Sequence, residues 1–333
     1  EFSNDHAAFY LLTQKQLKRC IASGGFLRAP CEGRYDMLCT AATDPYTNCG
    51  FQKVIGVSNP EGFLIHHRPN RYIGQLGISN TDFNDQIEIL RRISQGQHPA
   101  SSLGIQETKL KNARWSKGYY DPPRRELLAR IPSGARTVLS IGCGWGATEA
   151  ALAERGLIVT AIPLDSVIGA VAARRGLDVL YGSLPESLGQ LQGRQFDVVL
   201  LTNLLHLFAT PDRIIADCAA CVAQNGLLLT TGPNFDRLRV VVERAFGRGE
   251  SALLRSHAAS GIRIFSLAKL KAWMRAAGLQ PKEIDWLGSQ SHAAISGAYA
   301  PHEIVRRKLA QKLRGLAPRR FTADSWLITS QRA

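Results

Sequence analysis

The fold is decided by the stretch Val138-Leu-Ser-Ile-Gly-Cys-Gly-Trp-Gly146. The apolar run Thr137–Ile141 predicts a buried β-strand, and the three glycines that follow within five residues predict a tight turn. Residues Ala147–Arg155 then repeat apolar side chains at helical spacing and stop at Gly156. A strand, a glycine turn and a helix in this order are typical of the first half of a βαβ unit.

The same alternation of strand and helix continues toward the C-terminus. Further strands are predicted at Ile158–Ile162, Val179–Tyr181, Phe196–Leu201, Leu227–Thr231, Glu283–Leu287 and Ser325–Thr329. Further helices are predicted at Ser166–Arg175, Pro211–Ala223 and Ser266–Ala277. This spacing predicts an α/β fold of the Rossmann-like, doubly wound type, with a mostly parallel seven-stranded sheet and helices on both faces.

The alternation also suggests the domain organisation. Residues 119–333 form one predicted domain, and residues 96–118 form a predicted linker because they are polar and irregular. Residues 1–95 mix short apolar patches with turn residues, so we expect a smaller accessory region of α+β type there. Because the chain starts at Glu1 rather than at Met, we expect further sequence upstream.

Composition excludes several classes of protein. The 45% of hydrophobic residues excludes a disordered chain, and no apolar run is long enough to cross a membrane. The net charge of +14 is concentrated in residues 241–333, which carry 16 basic and 6 acidic side chains. The seven cysteines, an odd number without a secretory signal, predict free thiols in a reducing compartment and therefore a cytoplasmic location.

Four strand motifs together resemble one enzyme family. The stretch 138–146 is followed in order by Val159-Thr-Ala-Ile162, Phe196-Asp-Val-Val-Leu-Leu201 and Asn225-Gly-Leu-Leu-Leu-Thr230. Over about residues 119–333 this series is similar to the class I S-adenosylmethionine-dependent methyltransferases. The resemblance implies a methyltransferase that binds S-adenosylmethionine and releases S-adenosylhomocysteine, with the glycine turn against the methionine part of the cofactor.

The resemblance also implies individual cofactor contacts. The family usually carries an acid where this chain has Ser140, and its ribose-binding acid aligns with Pro163. Asp165 lies two positions further on and either reaches the ribose or caps the helix that starts at Ser166. The implied cofactor-binding residues are Tyr120, Ser140, Gly142, Gly144, Gly146, Asp165, Ser183 and Asn203.

Two other functions stay open on the sequence alone. The glycine turn also fits the dinucleotide pattern G-x-G-x-x-[GA], which would indicate an NAD-dependent oxidoreductase. That pattern requires an acid about 20 residues further on, where this chain has Pro163. The second alternative is a degenerate, non-catalytic methyltransferase-like domain in a surface-glycan assembly, which the absence of acids at Ser140 and Pro163 would explain.

His206 is the candidate catalytic residue. Methyl transfer to a hydroxyl needs an aligned acceptor and a group that removes its proton. His206 follows the fourth predicted strand and would act as a base with a pKa near neutrality; the alternative is a histidine with a packing role. No metal site is predicted, because Cys218-x-x-Cys221 has no second ligand pair and fits two small buried residues.

The acceptor and the partners are inferred from the two ends of the chain. Residues 5–77, with Gly33-Arg-Tyr-Asp36 and Phe63-Leu-Ile-His-His-Arg-Pro-Asn70, loosely resemble the closing part of bacterial glycosyltransferase-like proteins. That resemblance implies O-methylation of a sugar or polysaccharide precursor, or of another small molecule. The basic segment Arg306–Arg320 fits a packed helix, an anionic acceptor or peripheral membrane contact. No basic patch interleaved with aromatic residues accompanies it, which argues against nucleic acid, and the oligomeric state is not predicted.

Overall fold

The computed structural model describes residues 121–247, 250–288 and 318–333. Upstream it describes five strands within residues 8–69 and, between residues 89 and 118, residues 89, 92, 97–98, 101–105, 108, 110, 115 and 117–118. The upstream strands are β1 (Ala8–Thr13), β2 (Leu27–Cys31), β3 (Tyr35–Cys39), β4 (Phe51–Asn59) and β5 (Gly62–Pro69). They form an antiparallel sheet of order β1-β5-β4 and a separate pair β2-β3. The accessory role of residues 1–95 and their glycosyltransferase resemblance stay predictions.

The main domain contains seven further strands and the helices between them. The strands are β6 (Thr137–Cys143), β7 (Ile158–Pro163), β8 (Asp178–Val179), β9 (Phe196–Thr202), β10 (Val222–Pro233), β11 (Leu279–Leu287) and β12 (Ser325–Arg332). The helices are α1 (Arg125–Leu128), α2 (Ala147–Ala153), α3 (Ser166–Arg174), α4 (Leu184–Gln190), α5 (Pro211–Ala220), α6 (Leu238–Ala245), α7 (His257–Ser260), α8 (Leu267–Ala276) and α9 (Arg319–Thr322). Short 3₁₀ helices lie at Leu205–Leu207 and Glu250–Arg255.

The strand order confirms the predicted seven-stranded, mostly parallel sheet. The order is β11-β12-β10-β9-β6-β7-β8, with β6 parallel to both β7 and β9 and β9 parallel to β10. Strand β12 runs antiparallel to both of its neighbours, β10 and β11. The chain winds outward from β6 in one direction and then returns to continue from β9 in the other. Such a reversal opens a crevice at the carboxyl ends of β6 and β9, where α/β proteins bind ligands.

Helices cover both faces of the sheet, as the sequence predicts. In β9, Val198 and Leu200 pack into one apolar cluster and Val199 and Leu201 into the other. The first cluster includes side chains from α1, α2 and α3, and the second includes side chains from α3, α5 and α8. Because both faces are buried, the central strands are continuously apolar rather than alternating.

Several elements differ from the sequence-based prediction. The third strand of the domain is Asp178–Val179, one position earlier and shorter than the predicted Val179–Tyr181. The sequence analysis does not predict helices α1, α4, α6, α7 and α9, and strand β10 begins at Val222, inside the predicted helix Pro211–Ala223. Helices α1, α7 and α9 have only four residues each, and α4 is short and contains a proline at its second position. Helix α6 has apolar side chains at helical spacing, but it buries only Val240.

Part of the segment predicted as a linker packs on the domain. The backbone N–H of Leu103 donates to the carbonyl of Leu164 over 2.9 Å, and the N–H of Ser166 donates to the carbonyl of Ser101 over 2.9 Å. The Leu103 side chain is buried in the core. Residues 101–105 therefore lie along the loop that follows β7, while the domain boundaries themselves stay a prediction. In the described part of the chain, no helix is long and apolar enough to cross a membrane.

The Gly142→Ala variant should unfold at lower denaturant than the unmodified chain. Gly142 has φ +73°, and a Cβ there would lie 2.4 Å from Cδ2 of the buried Leu204. We expect a loss of about 2–4 kcal/mol, from left-handed strain plus overpacking. The matched control is Gly156→Ala, because Gly156 has φ +88° and open space around it, so it bears only the strain of about 1 kcal/mol. Equal losses in urea unfolding would contradict a packing role for Gly142.

Candidate functional site

The glycine turn is shaped by the packing of the protein itself. Gly142 and Gly146 both have positive φ, +73° and +79°. A Cβ on Gly142 would meet Leu204, and one on Gly146 would lie 2.8 Å from Cδ1 of Leu177. These two glycines are therefore required by the turn whether or not a ligand is bound. Gly144 lies between them and lines a pocket.

This glycine-turn pocket lies at the carboxyl ends of β6 and β9. Its cavity volume is about 20 Å³, which is room for about one water molecule. Residues 143–149 form one wall, and the opposite side is formed by Lys117, Gly118, Asp121, Arg124, Leu127 and Thr202. Within this lining, Glu149 and Lys117 are both buried. The pocket therefore contains one buried carboxylate and one buried ammonium group, both in a low-dielectric setting.

Ser140 does not supply an acid, but it positions one. Its Oγ donates a hydrogen bond of 2.6 Å to Oε1 of Glu149, and both side chains are buried. Glu149 lies in the first turn of α2, so its carboxylate reaches back to the strand position where the family usually carries an acid. Sequence reasoning missed Glu149, and the signal that could have found it is an acid in the first helical turn after the glycines.

Lys117 was also missed, because it lies in the predicted linker. Its Nζ donates to the carbonyl oxygen of Thr202 over 2.7 Å and to Oγ1 of Thr202 over 2.8 Å. Burial lowers the pKa of Lys117 from 10.5 to about 8; the Arg124 charge lowers it further, while Asp121 and Glu149 oppose the shift. The ammonium is therefore bound to the end of β9 from a position 85 residues upstream.

Asp121 and Trp145 stabilise the rim of the pocket. The indole Nε1 of Trp145 donates to the carbonyl oxygen of Asp121 over 2.7 Å. The Asp121 carboxylate pairs with the Arg124 guanidinium at 3.0 Å, and the Arg175 guanidinium lies over the Trp145 ring at 4.5 Å. These contacts fix residues 121–124 against the glycine turn.

Three predicted cofactor residues have structural partners outside the pocket. Oδ1 of Asp165 accepts hydrogen bonds of 2.9 Å from the N–H groups of Val167 and Ile168, so the helix-cap alternative is the observed one. Ser183 donates through both N and Oγ to Oε2 of Glu186 over 2.8 Å, in a capping box at the start of α4 that lowers the pKa of Glu186.

Asn203 has φ +50°, and its N–H donates to both O and Oγ1 of Thr231 at 2.9 Å. Neither Asp165, Ser183 nor Asn203 is among the described residues that line the glycine-turn pocket. Tyr120 lies outside the described residues. Cofactor binding by these four residues stays a prediction.

His206 lies after β9 as predicted, but its pKa is not near neutrality. The ring is fully buried in the 3₁₀ turn Leu205–Leu207, and Nε2 lies 2.7 Å from the carbonyl oxygen of Trp115. Because a carbonyl only accepts, Nε2 carries the proton and Nδ1 carries the lone pair. Burial lowers the pKa of His206 to about 4; the hydrogen bond to Trp115 opposes this, and the Lys117 charge adds to it. The expectation of a near-neutral pKa is therefore wrong for this arrangement, and the ring is neutral at pH 7.

Cys143, Cys218 and Cys221, whose side chains the structure describes, are free thiols. Cys143, Cys218 and Cys221 are buried, and burial raises the pKa of each thiol, to about 11 for Cys221. Cys218 and Cys221 pack in the core cluster that includes α5 and α8. Within the described residues, no three His, Cys, Asp or Glu side chains lie close enough together to hold a metal ion.

The sheet topology, with its glycine turn and pocket at the switch point, is that of a class I S-adenosylmethionine-dependent methyltransferase. Residues 113–284, about half of the chain, match the family model described as a methyltransferase domain. The chain belongs to this methyltransferase family and is an enzyme of that class.

Curated relatives and solved structures are similar to the chain at low identity. The ubiquinone biosynthesis O-methyltransferase of Pseudomonas entomophila is 28% identical over 160 residues, which cover 46% of this chain and 69% of the relative. The protein of the same name from Xylella fastidiosa is 27% identical over 193 residues, 52% of this chain and 78% of the relative. A solved methyltransferase from Archaeoglobus fulgidus is 16% identical with a TM-score of 0.44, covering 62% of this chain and 90% of that chain.

The buried Lys117 should make stability depend on pH in the alkaline range. The pKa is about 8 in the folded chain and 10.5 in the unfolded chain. Between these values the unfolded chain holds a proton that the folded chain has lost, so the free energy of unfolding gains a contribution that rises with pH, by about 3 kcal/mol in all. In Lys117→Met this contribution should be absent, whereas the exposed control Lys282→Met should retain it. If the free energies of unfolding of the two variants in urea depended on pH in the same way, the pKa of Lys117 would not be lowered in the folded chain.

Proposed function

We propose that this enzyme transfers a methyl group from S-adenosylmethionine to a hydroxyl oxygen of a small molecule. The observation that carries the proposal is the glycine-turn pocket, which holds a buried Glu149 carboxylate and a buried Lys117 ammonium. The methionine end of S-adenosylmethionine carries an α-ammonium and an α-carboxylate, which are the complementary pair of charges. The names of the curated relatives support oxygen as the methylated atom.

The charges of the lining residues match the charges at this end of the cofactor. The Glu149 carboxylate is available to the α-ammonium, since Ser140 occupies only Oε1. The Lys117 ammonium has three donors and makes two hydrogen bonds to Thr202, so it retains a donor for the α-carboxylate. Hydrogen bonds to charged groups contribute about 1.5–3 kcal/mol each, and burial strengthens them. These two side chains would take over the contacts that the usual acid at Ser140 cannot make.

Proton removal is the step that this chain's own residues must perform. When bound, the cofactor supplies a methyl group on a positively charged sulfur; the new oxygen–carbon bond forms as the sulfur–carbon bond breaks, and the acceptor hydroxyl loses its proton. His206 is neutral at pH 7, and its buried Nδ1 has a lone pair and no hydrogen-bond partner. We propose Nδ1 of His206 as the proton acceptor. Its depressed pKa keeps this nitrogen unprotonated at pH 7 but also makes it a weak base, because the burial that disfavours the imidazolium opposes the return of a proton.

The acceptor is proposed only at the level of a hydroxylated small molecule. The sequence favoured a sugar or polysaccharide precursor, but the names of the curated relatives refer to ubiquinone biosynthesis and give that acceptor no support. The degenerate, non-catalytic alternative depended on the missing acids at Ser140 and Pro163, and the Ser140–Glu149 hydrogen bond removes the first of these two reasons. A NAD-dependent function is excluded by the family to which the chain belongs.

Cofactor binding is tested by calorimetric titration with S-adenosylhomocysteine. We expect the Glu149→Gln variant to bind about 10- to 100-fold more weakly, because it loses one charge-assisted contact but can still accept the hydrogen bond from Ser140. The matched control is Glu154→Gln, an exposed acid at the end of the same helix, which should bind normally. Unchanged affinity in Glu149→Gln would show that Glu149 does not contact the cofactor. Absence of binding by the unmodified chain at millimolar ligand would contradict the proposed function.

The role of His206 is tested by two substitutions, one that keeps the hydrogen bond to Trp115 and one that removes it. In His206→Gln the amide nitrogen can still donate to Trp115, but the basic lone pair is lost. We expect release of S-adenosylhomocysteine, measured with catechol and hexose acceptors, to fall by about 100-fold or more in His206→Gln, with cofactor affinity unchanged. His206→Ala should lose turnover and also stability. Full turnover in His206→Gln would restrict His206 to packing, and no turnover with any hydroxylated acceptor would contradict O-methylation.

A further inference from the structure

A second cleft lies beside the turn that carries His206. It is bounded by the start of α5, the 3₁₀ helix Glu250–Arg255, and helices α7 and α8. Its cavity volume is about 470 Å³. Leu254, Ile262 and Trp273 form its apolar floor. The space is that of a small-molecule site rather than of a water-sized void.

The rim of this cleft is strongly cationic. Arg244, Arg255, Arg263 and Lys269 line it, and Asp212 is the one acidic side chain among its described lining residues. None of these four cations forms an ion pair in the described structure. Four like charges around one concave surface repel each other, and an anion in the cleft lowers that repulsion. We call these residues and the space between them the cationic cleft.

Backbone hydrogen bonds connect the cationic cleft to the candidate base. The N–H of Arg263 donates to the carbonyl oxygen of His206 over 2.7 Å, and Nε2 of His257 lies 3.2 Å from the carbonyl oxygen of Leu207. The side chain of His206 reaches the other way, to the carbonyl oxygen of Trp115, two residues before Lys117. His206 therefore lies between the glycine-turn pocket and the cationic cleft.

We propose that the cationic cleft binds a phosphate or diphosphate group, which is the anionic part of the acceptor. An excess of three positive charges favours a multiply charged anion over a single carboxylate. The three arginines present planar guanidinium groups that match the oxygen geometry of phosphate. The assignment of this anion to the methyl acceptor rests on the proposed function, because it requires that the acceptor reach His206 from the cleft. The binding of phosphate by the cleft does not rest on the proposed function.

The binding test uses inorganic pyrophosphate and the full chain. We expect calorimetric titration at low salt to show binding that is weakened about 10-fold or more in the double variant Arg255→Ala/Arg263→Ala. Both side chains are exposed, and Arg263 contacts His206 only through its backbone, so the variant should fold. The matched control, Arg275→Ala/Lys282→Ala, removes two exposed positive charges outside the cleft and should bind normally. Absence of binding by the unmodified chain, or an equal loss in both double variants, would overturn the proposal.

Two further measurements separate the possible failures and sources. Titration with S-adenosylhomocysteine in the same proteins should be unaffected by Arg255→Ala/Arg263→Ala; a chain that binds pyrophosphate but not S-adenosylhomocysteine retains the cleft and loses the proposed function. Co-sedimentation with phosphatidylglycerol vesicles, against phosphatidylcholine vesicles, tests a phospholipid headgroup as the source of the phosphate. Vesicle binding that the cleft variant abolishes supports a headgroup, and pyrophosphate binding without vesicle binding supports a soluble phosphorylated acceptor. Vesicle binding by a chain that does not bind pyrophosphate overturns the proposal.

Discussion

The left-handed turn at Gly142 is the constraint on which the rest of the site depends. Only a residue without a Cβ leaves room for the Leu204 side chain, which packs beneath the turn from the loop after β9. This contact joins the carboxyl ends of β6 and β9, the two strands between which the winding of the sheet reverses. The position of α2, and with it that of Glu149, follows from the same turn. The position of the 3₁₀ turn with His206 follows from Leu204 on the other side.

A buried charge in this pocket is tolerated because it has a counter-charge and a polar partner. The Glu149 carboxylate accepts from Ser140, and the Lys117 ammonium donates twice to Thr202. An isolated buried ion would cost several kcal/mol, and the lowered pKa of Lys117 shows that its desolvation is only partly offset. The two charges offset each other, and each side chain keeps hydrogen-bonding capacity for a ligand that has its own ammonium and carboxylate. Polarity in the site is thus arranged by contacts distant in sequence rather than by a single acidic residue on β6.

Sequence periodicity predicted the sheet because its central strands are buried on both faces, so their apolar runs are continuous. The same signal failed at α6, where Leu238 and Phe246 are exposed and only Val240 is buried. The glycine turn was predictable because glycine has a local conformational reason to be there. Lys117 was not, because its partner Thr202 lies 85 residues away and no local pattern marks the pair. Ser140 as a cofactor contact stays a prediction, and the structure adds that its hydroxyl donates to the Glu149 carboxylate, which the sequence analysis missed.

The two parts of the site differ in their formal charge. The glycine-turn pocket is lined by Lys117 and Arg124 against Asp121 and Glu149, so its formal charges cancel, which suits a zwitterionic amino acid end. The cationic cleft draws all four of its basic side chains from residues 241–333, the part of the chain with the +10 balance. His206 separates the two as a neutral ring, since a protonated imidazole would stand between the Lys117 ammonium and the cationic cleft. Burial is the largest cause of the low pKa of His206, the hydrogen bond to Trp115 opposes it, and the Lys117 charge lowers it further, so Nδ1 is unprotonated at pH 7.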